Sequence, residues 1–154
     1  MTYTISEAAK ILHTAPSTIR YYDKEGLLPF VERSSGGVRI FKDEDFEWLF
    51  VIECLKKAGM PIKRIKAFID MAIEGDETIG KRLKLVMEQR DAVSEQIKKL
   101  QQTLDILNYK CWYYQTAQTA GTTAVPRNMR TEDIPGELRA AHISLNRMNG
   151  REKG

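Results

Sequence analysis

The chain has 154 residues, a formal net charge of +3 and 42% hydrophobic residues. This length allows one compact domain plus an extended element, and the apolar content argues against disorder along the whole chain. No apolar run reaches the roughly 18–20 residues of a membrane span, and no charged segment followed by an apolar one opens the chain, so we expect a cytoplasmic protein.

Residues 4–30 predict two short helices. Apolar residues recur at helical spacing from Ile5 to Leu12, and Pro16 occupies a position that the first turn of a second helix tolerates. Gly26 is expected to end this helix. One face of the second helix would be polar and would carry hydrogen-bond donors, whereas Ile19 and Tyr22 would point into a core.

Residues 31–41 predict a β-hairpin, because two short β-prone stretches flank a glycine pair that suits a tight turn. Asp43 is expected to cap the helix that follows and runs to Gly59. Pro61 would begin a further helix, which Gly75 would end. We therefore expect a first domain over residues 1–75.

One long helix is predicted from about Thr78 to Tyr114, a stretch without proline. Apolar residues alternate in steps of three and four over about four heptads, a pattern typical of a coiled coil. The residues of this predicted dimer seam are Leu83, Val86, Val93, Ile97, Leu100, Leu104, Leu107 and Cys111. A helix of about 55 Å cannot bury the seam on a small domain, so we expect a second copy to cover it.

The remaining boundaries follow from this helix. Residues 76–117 would form the dimerisation segment, and residues 118–154 a mostly flexible tail, because Thr, Ala, Gly, Pro and Arg dominate there. One short helix is expected near residues 136–145. The predicted fold is therefore mainly α, with a small hairpin wing and a long coiled-coil helix.

Two short helices followed by a glycine-tipped hairpin with arginines match the layout of a winged helix-turn-helix. The second helix would enter the major groove, and the hairpin would reach the DNA backbone. Basic residues in the first turns of the fourth helix would add a phosphate site at its N-terminus. The candidate DNA-binding residues are Ser17, Thr18, Arg20, Tyr21, Lys24, Arg33, Arg39, Lys63, Arg64 and Lys66.

Other functions have less support in the sequence. No paired acid and base, nucleophile arrangement or phosphate-binding glycine loop is present, so we expect neither an enzyme nor a cofactor. The two histidines lie far apart and the two cysteines lack CxxC spacing, so we expect no metal site. A coiled-coil adaptor whose N-terminal module binds protein remains an alternative, as does a DNA binder without an effector.

A specific motif narrows the prediction further. Residues 18–23 read TIRYYD, residues 26–29 read GLLP, and the wing carries Arg33, Gly37 and Arg39 in an R-x-x-x-G-x-R pattern. Over residues 1–115 this pattern resembles the MerR family of transcription regulators. The resemblance implies a homodimer with an antiparallel coiled coil, which binds an inverted repeat in an over-long promoter spacer. Bending and untwisting the DNA would then realign the promoter elements for RNA polymerase.

The resemblance also implies individual residue roles. Arg20, Tyr21 and Arg39 would contact DNA, and Thr18 would contact phosphate. Phe41 stands where the family usually has tyrosine, so a hydroxyl contact there is not expected.

Cys54 is the candidate sensor residue. The stretch of residues 53–60 resembles the thiol- and aldehyde-responsive AdhR/NmlR-like subgroup, which keeps a single cysteine at this place. Lys57, one turn further along the helix, would favour the thiolate, whereas Glu53 would oppose it. The alternative is that Cys54 packs as a small hydrophobic residue in the helix core.

Aromatic residues near the end of the long helix suggest another effector site. Such rings would line a pocket for a small apolar or cationic ligand, or they would cap the dimer core. Cys111 falls on the seam, where packing is the expected role. The members of this aromatic cluster are Tyr109, Trp112, Tyr113 and Tyr114.

Overall fold

The structure, a computed structural model, describes residues 1–150. The chain divides into two compact units, the first over residues 1–93 and the second from residue 94 onward. Each unit has its own hydrophobic core. No helix within residues 1–150 is both long enough and apolar enough to cross a membrane.

The first unit holds the predicted helix-turn-helix and wing. Its elements, in chain order, are β1 (Thr2–Tyr3), α1 (Ile5–Ile11), α2 (Pro16–Lys24), β2 (Glu32–Arg33), β3 (Arg39–Lys42), α3 (Asp45–Lys57) and α4 (Ile62–Glu74). Thr4 and Glu7 form a capping box at the start of α1, so two backbone N–H groups there are satisfied. Gly26 follows the end of α2 with φ of 77°, a conformation that favours glycine.

The wing is part of a three-stranded antiparallel sheet. Strand β3 lies in the middle and pairs with β1 on one side and β2 on the other. The predicted hairpin is confirmed, and Gly37 takes the positive φ that its turn requires. Strand β1 was not predicted, because two residues are too few to show any alternation.

The predicted cap at Asp43 is wrong, since α3 begins at Asp45 and no side chain caps it. The Asp43 carboxylate is drawn to the N-terminal end of the chain, where it accepts a hydrogen bond from the Tyr3 hydroxyl (2.7 Å) and pairs with the terminal amine. Asp45 instead accepts from the Lys42 N–H (2.8 Å), which joins β3 to α3. Burial raises the pKa of the Asp45 carboxyl.

The core of the first unit fixes the orientation of α2. Ile19 and Tyr22 of α2 are fully buried against fully buried residues of α3 and α4. The Tyr22 hydroxyl donates to Glu53 at 2.6 Å, and burial together with this bond raises the pKa of Tyr22. The Lys56 ammonium lies 5.0 Å from the centre of the Tyr22 ring. Helix α2 is thus anchored through one face, and its other face is left in solvent.

The predicted long helix is present as α5 (Ile79–Ala120), which has 42 residues and is about 63 Å long. It continues beyond the predicted end at Tyr114. A single 3₁₀ turn (Asp76–Thr78) precedes it, and the buried Thr78 hydroxyl donates to the Gly75 carbonyl at 2.7 Å. Within the first unit, the buried Gln89 amide donates to the Ala58 carbonyl at 2.6 Å and so joins α5 to the end of α3.

The structure differs from the prediction of a mostly flexible segment from residue 118. Helices α6 (Ala124–Arg127) and α7 (Arg139–Met148) and two 3₁₀ turns (Thr131–Asp133 and Gly136–Leu138) follow α5. Ile134 and Ala141 are buried against Tyr109, and Leu138 and Leu145 pack beside them. The polar and small residues of this segment suggested flexibility, but its few apolar residues are enough to form a core because the aromatic side chains of α5 provide a surface to pack against. The predicted boundaries at residues 75 and 117 remain predictions.

Candidate nucleic-acid interface

The outward face of α2 carries the predicted donors. Ser17, Arg20, Tyr21 and Lys24 are exposed, and Thr18 is half-buried. Helix α2 spans nine residues, or about 14 Å, which is compatible with a major groove about 12 Å wide. Because hydroxyl, guanidinium and ammonium groups all project from one side, α2 can present them together to base edges and phosphates.

Asp23 joins α2 to both arginines of the wing. Its Oδ2 lies 3.0 Å from Arg33 Nη2, and its Oδ1 pairs with Arg39 Nη2. The Arg33 side chain remains 53% exposed, whereas the Arg39 side chain is 18% exposed and also donates to the Val31 carbonyl. Arg33 is therefore the more accessible of the two arginines, and Arg39 lies at the base of the wing.

Arg39 has a second unusual feature at this junction. Its Nε is buried and has no hydrogen-bond partner within residues 1–150. A buried donor without a partner has a free-energy cost, which the ion pair of Nη2 with Asp23 and the hydrogen bond of Nη1 to the Val31 carbonyl must offset. The DNA contact that the family resemblance implies for Arg39 remains a prediction, and sequence reasoning gave no role to Asp23. Only the fold reveals that role, because it brings Asp23 between two arginines of a later hairpin.

The three basic residues at the start of α4 are not equivalent. Arg64 pairs with Glu88 at 2.5 Å, and Lys66 pairs with Asp70 at 2.6 Å. Lys63 is exposed and has no carboxylate partner among the described residues. The predicted phosphate site at this helix end therefore depends most on Lys63, although exposed ion pairs such as the other two are weak and exchangeable.

The predicted dimer seam is uncovered in the single chain. Exposed fractions along it include 57% for Leu83, 62% for Ile97, 70% for Leu100 and 54% for Leu107. Val93 is half-buried, and the remaining seam residues, which are Val86, Leu104 and Cys111, are exposed. Large apolar side chains in one continuous row mark an interaction surface rather than ordinary surface residues.

Cys54 is exposed on α3, next to the half-exposed Phe50 one turn earlier. The expectation that it packs in the helix core is therefore wrong for the single chain. Its thiol is accessible, which any reaction with an electrophile requires. Cys111 is also exposed in the single chain and provides an internal comparison.

Family profiles match most of the first 109 residues. The profile described as MerR HTH family regulatory protein matches residues 3–72, and the profile described as MerR, DNA binding matches residues 46–109. An uncharacterized HTH-type transcriptional regulator of Haemophilus influenzae is 46% identical over 122 residues, which cover 79% of this chain and 90% of that protein. The chain belongs to the MerR family.

Solved structures agree with this assignment. HiNmlR, a MerR family regulator that lacks the sensor domain and whose crystal structure is bound to promoter DNA, is 45% identical with a TM-score of 0.69. The match covers 81% of this chain and 99% of HiNmlR. AdhR of Bacillus subtilis is 32% identical over 91 residues, which cover 59% of this chain and 65% of AdhR. The predicted resemblance to MerR regulators of the AdhR/NmlR type is confirmed, as is the mainly α fold with its winged helix-turn-helix.

The junction at Asp23 predicts an energetic coupling between α2 and the wing. In a double-mutant cycle on unfolding, Asp23→Ala and Arg39→Ala should show a coupling of about 1–3 kcal/mol, because the pair is mostly shielded from solvent. The same cycle with Arg33→Ala should give about 0.2–1 kcal/mol, since Arg33 is half-exposed. Equal couplings for the two arginines would contradict this assignment.

The exposed face of α2 predicts that Arg20→Ala weakens DNA binding by about 1–3 kcal/mol, because a bidentate contact to a guanine or a phosphate is lost. Fluorescence anisotropy with a promoter fragment measures the change, and a salt titration separates the two contacts. Arg130→Ala, which removes the same charge from an exposed site of the second unit, should leave the affinity unchanged. An equal loss in both variants would point to net charge instead of a contact.

Proposed function

We propose that this MerR-family chain acts in the cytoplasm as a homodimeric transcription regulator that binds an inverted-repeat promoter site and distorts it. The observation that carries the proposal is the uncovered apolar row on α5. Burial of this row would drive two copies of the chain to form a dimer, and the dimer would carry two copies of α2. Two-fold symmetric proteins read two-fold symmetric sites, so an inverted repeat is the expected operator.

The size of the exposed row makes pairing favourable. Removing each large apolar side chain from water contributes about 1.5–3 kcal/mol, and the row contains several such side chains. Association costs about 4–15 kcal/mol in lost freedom, so burial of the whole row in both copies, and not of a few leucines alone, would offset it. A single copy would leave this surface in water along most of α5.

Charge favours an antiparallel pair. Arg90 lies on the same row as the apolar residues, and in a parallel pair in register it would face Arg90 of the second copy. In an antiparallel pair centred between Lys98 and Lys99, Arg90 would instead face Leu107, and Ile97 would face Leu100. Row residues then oppose row residues throughout, and the two Arg90 side chains no longer face each other.

The DNA-binding affinity must come from the arrangement of charges. Residues 1–75 contain as many basic as acidic side chains, and Glu88 and Asp70 pair with two of the cations near α4. A protein of this kind gains from shape and deformability of the site as well as from phosphate contacts. Bending a site of promoter length costs roughly 1–6 kcal/mol, which contacts from two copies would have to offset.

Leu100→Glu should abolish the dimer, because it places a carboxylate at the middle of the apolar row in each copy. Sedimentation equilibrium should then show a monomer where the unsubstituted chain is a dimer. Lys98→Glu, a larger change in charge two residues away and off the row, is the matched control and should remain dimeric.

The same proteins test the action on DNA. A set of equal-length fragments with the operator at different positions should migrate differently with the unsubstituted chain and with Lys98→Glu, because bending slows a fragment most when it is central. Leu100→Glu should not retard the fragments at equal concentration. A dimer that binds without any dependence on position would refute the distortion, and a monomer that binds with full affinity would refute the dimer.

A second candidate function is the sensing of aldehydes or other electrophiles through Cys54. The observation that favours it is the exposure of this thiol on α3, in a chain similar to AdhR and HiNmlR. Lys57 lies one turn further along the exposed side of the helix. Modification there would add bulk to α3 within the DNA-binding unit.

Cys54→Ser should keep the affinity for DNA but lose aldehyde-induced transcription, because serine preserves the size of the side chain and removes the nucleophilic sulfur. A reporter gene behind the operator measures induction. Cys111→Ser removes the other thiol of the chain, which the proposed dimer seam would cover, and induction by aldehyde should persist in it. Induction that persists in Cys54→Ser would eliminate this sensor.

A further inference from the structure

A pocket of about 440 Å³ lies within the second unit, between α5 and the segment that follows it. The family profiles end at residue 109, so almost all of the residues that form this pocket lie beyond the matched region. The volume is within the range of small-molecule sites in proteins. The pocket is therefore a feature of this chain's own C-terminal segment.

The charges that line the pocket have one sign. Lys110 and Arg127 both contribute to its wall, and no aspartate or glutamate does. The Arg127 guanidinium donates to the Thr123 hydroxyl at 3.3 Å, and the Lys110 ammonium lies 5.8 Å from the centre of the Tyr113 ring. Neither cation is paired with a carboxylate within residues 1–150. Two cations that line the same concave site repel each other, and an anion bound between them would reduce that repulsion.

Hydrogen bonds within the pocket wall leave a further donor available. The Asn146 amide nitrogen lies 3.0 Å from His142 Nε2, and because an amide nitrogen only donates, Nε2 must accept. The ring proton is then on Nδ1, which donates to the Tyr109 hydroxyl at 2.9 Å. The hydroxyl proton of Tyr109 is consequently left to donate elsewhere. Burial lowers the pKa of His142, in agreement with this neutral ring.

The rest of the wall is suited to an apolar body. Tyr113, Pro126 and Leu145 present ring and aliphatic surface to the same space. The site thus combines cations and donor groups with a patch that a small ring or chain would cover. The cationic ligand that the aromatic residues alone had suggested is disfavoured, because no lining carboxylate would hold it.

We propose that this pocket binds a small organic carboxylate with an aromatic or apolar body. Arg127 and Lys110 hold the carboxylate, and Tyr113 and Leu145 cover the body. This binding goes beyond the proposed regulatory function and does not depend on it. Only a role for the ligand as an effector rests on that function.

Three probes of nearly equal shape test the sign of the charge on the full-length chain. Isothermal titration with benzoate, benzamide and benzamidine should give the tightest binding for benzoate, and acetate should bind more weakly because it lacks a ring. Arg127→Gln and Lys110→Gln should each weaken benzoate binding about tenfold, as expected for the loss of a charge-assisted bond. Lys98→Gln, which removes a lysine of α5 outside the pocket, should bind benzoate as the unsubstituted chain does.

The outcomes separate this proposal from the regulatory one. The pocket assignment would be overturned if benzoate did not bind, or if benzamidine bound as tightly as benzoate or more tightly. It would also be overturned if Arg127→Gln and Lys110→Gln reduced benzoate binding no more than Lys98→Gln does. Circular dichroism checks that each variant is folded, and the two independent pocket variants guard against one that is not. Gel shifts on the same samples report DNA binding, so a chain that binds benzoate but not the operator would refute the regulator and leave the pocket intact.

Discussion

The rest of the proposed mechanism depends on the burial of the exposed apolar row on α5. The helices and turns that follow α5 cover only one side of this helix, the aromatic side around Tyr109. Leu100 and its neighbours on the row are exposed to solvent in the single chain. Burial of such a surface is the dominant favourable term in association, so this constraint favours the proposed dimer before any contact with DNA is considered.

Within the first unit, the position of α2 depends on two kinds of interaction with different roles. Burial of Ile19 and Tyr22 fixes the helix against α3 and α4, but hydrophobic contact is not directional. The paired arginines at Asp23 add direction, because a carboxylate accepts from guanidinium groups only in restricted geometries. The relative placement of α2 and the wing therefore depends on their shared core, which includes Val31 and Phe41, and on this charged junction, which adds direction.

The sequence predicts well what depends on local pattern. Periodicity located α1 to α5, and Pro16, Gly26 and Gly37 marked the turns correctly because their backbone restrictions act within a few residues. Contacts between distant residues were not predictable in this way. Asp43 looked like a helix cap until β1 brought Tyr3 and the terminal amine to it, and Asp23 looked like one more polar residue of α2.

The C-terminal segment shows the same limit at larger scale. Its composition resembles a linker, yet Ile134 and Ala141 are buried because Tyr109 and its neighbours lie about two to three dozen positions earlier on a long helix. Burying the Tyr109 side chain and part of the His142 ring in this small core has a cost, which the Asn146–His142–Tyr109 chain of hydrogen bonds offsets. A core built only for stability would be served better by apolar residues at these positions. The polar groups and the two cations around this cavity are the groups that the proposed carboxylate ligand would use.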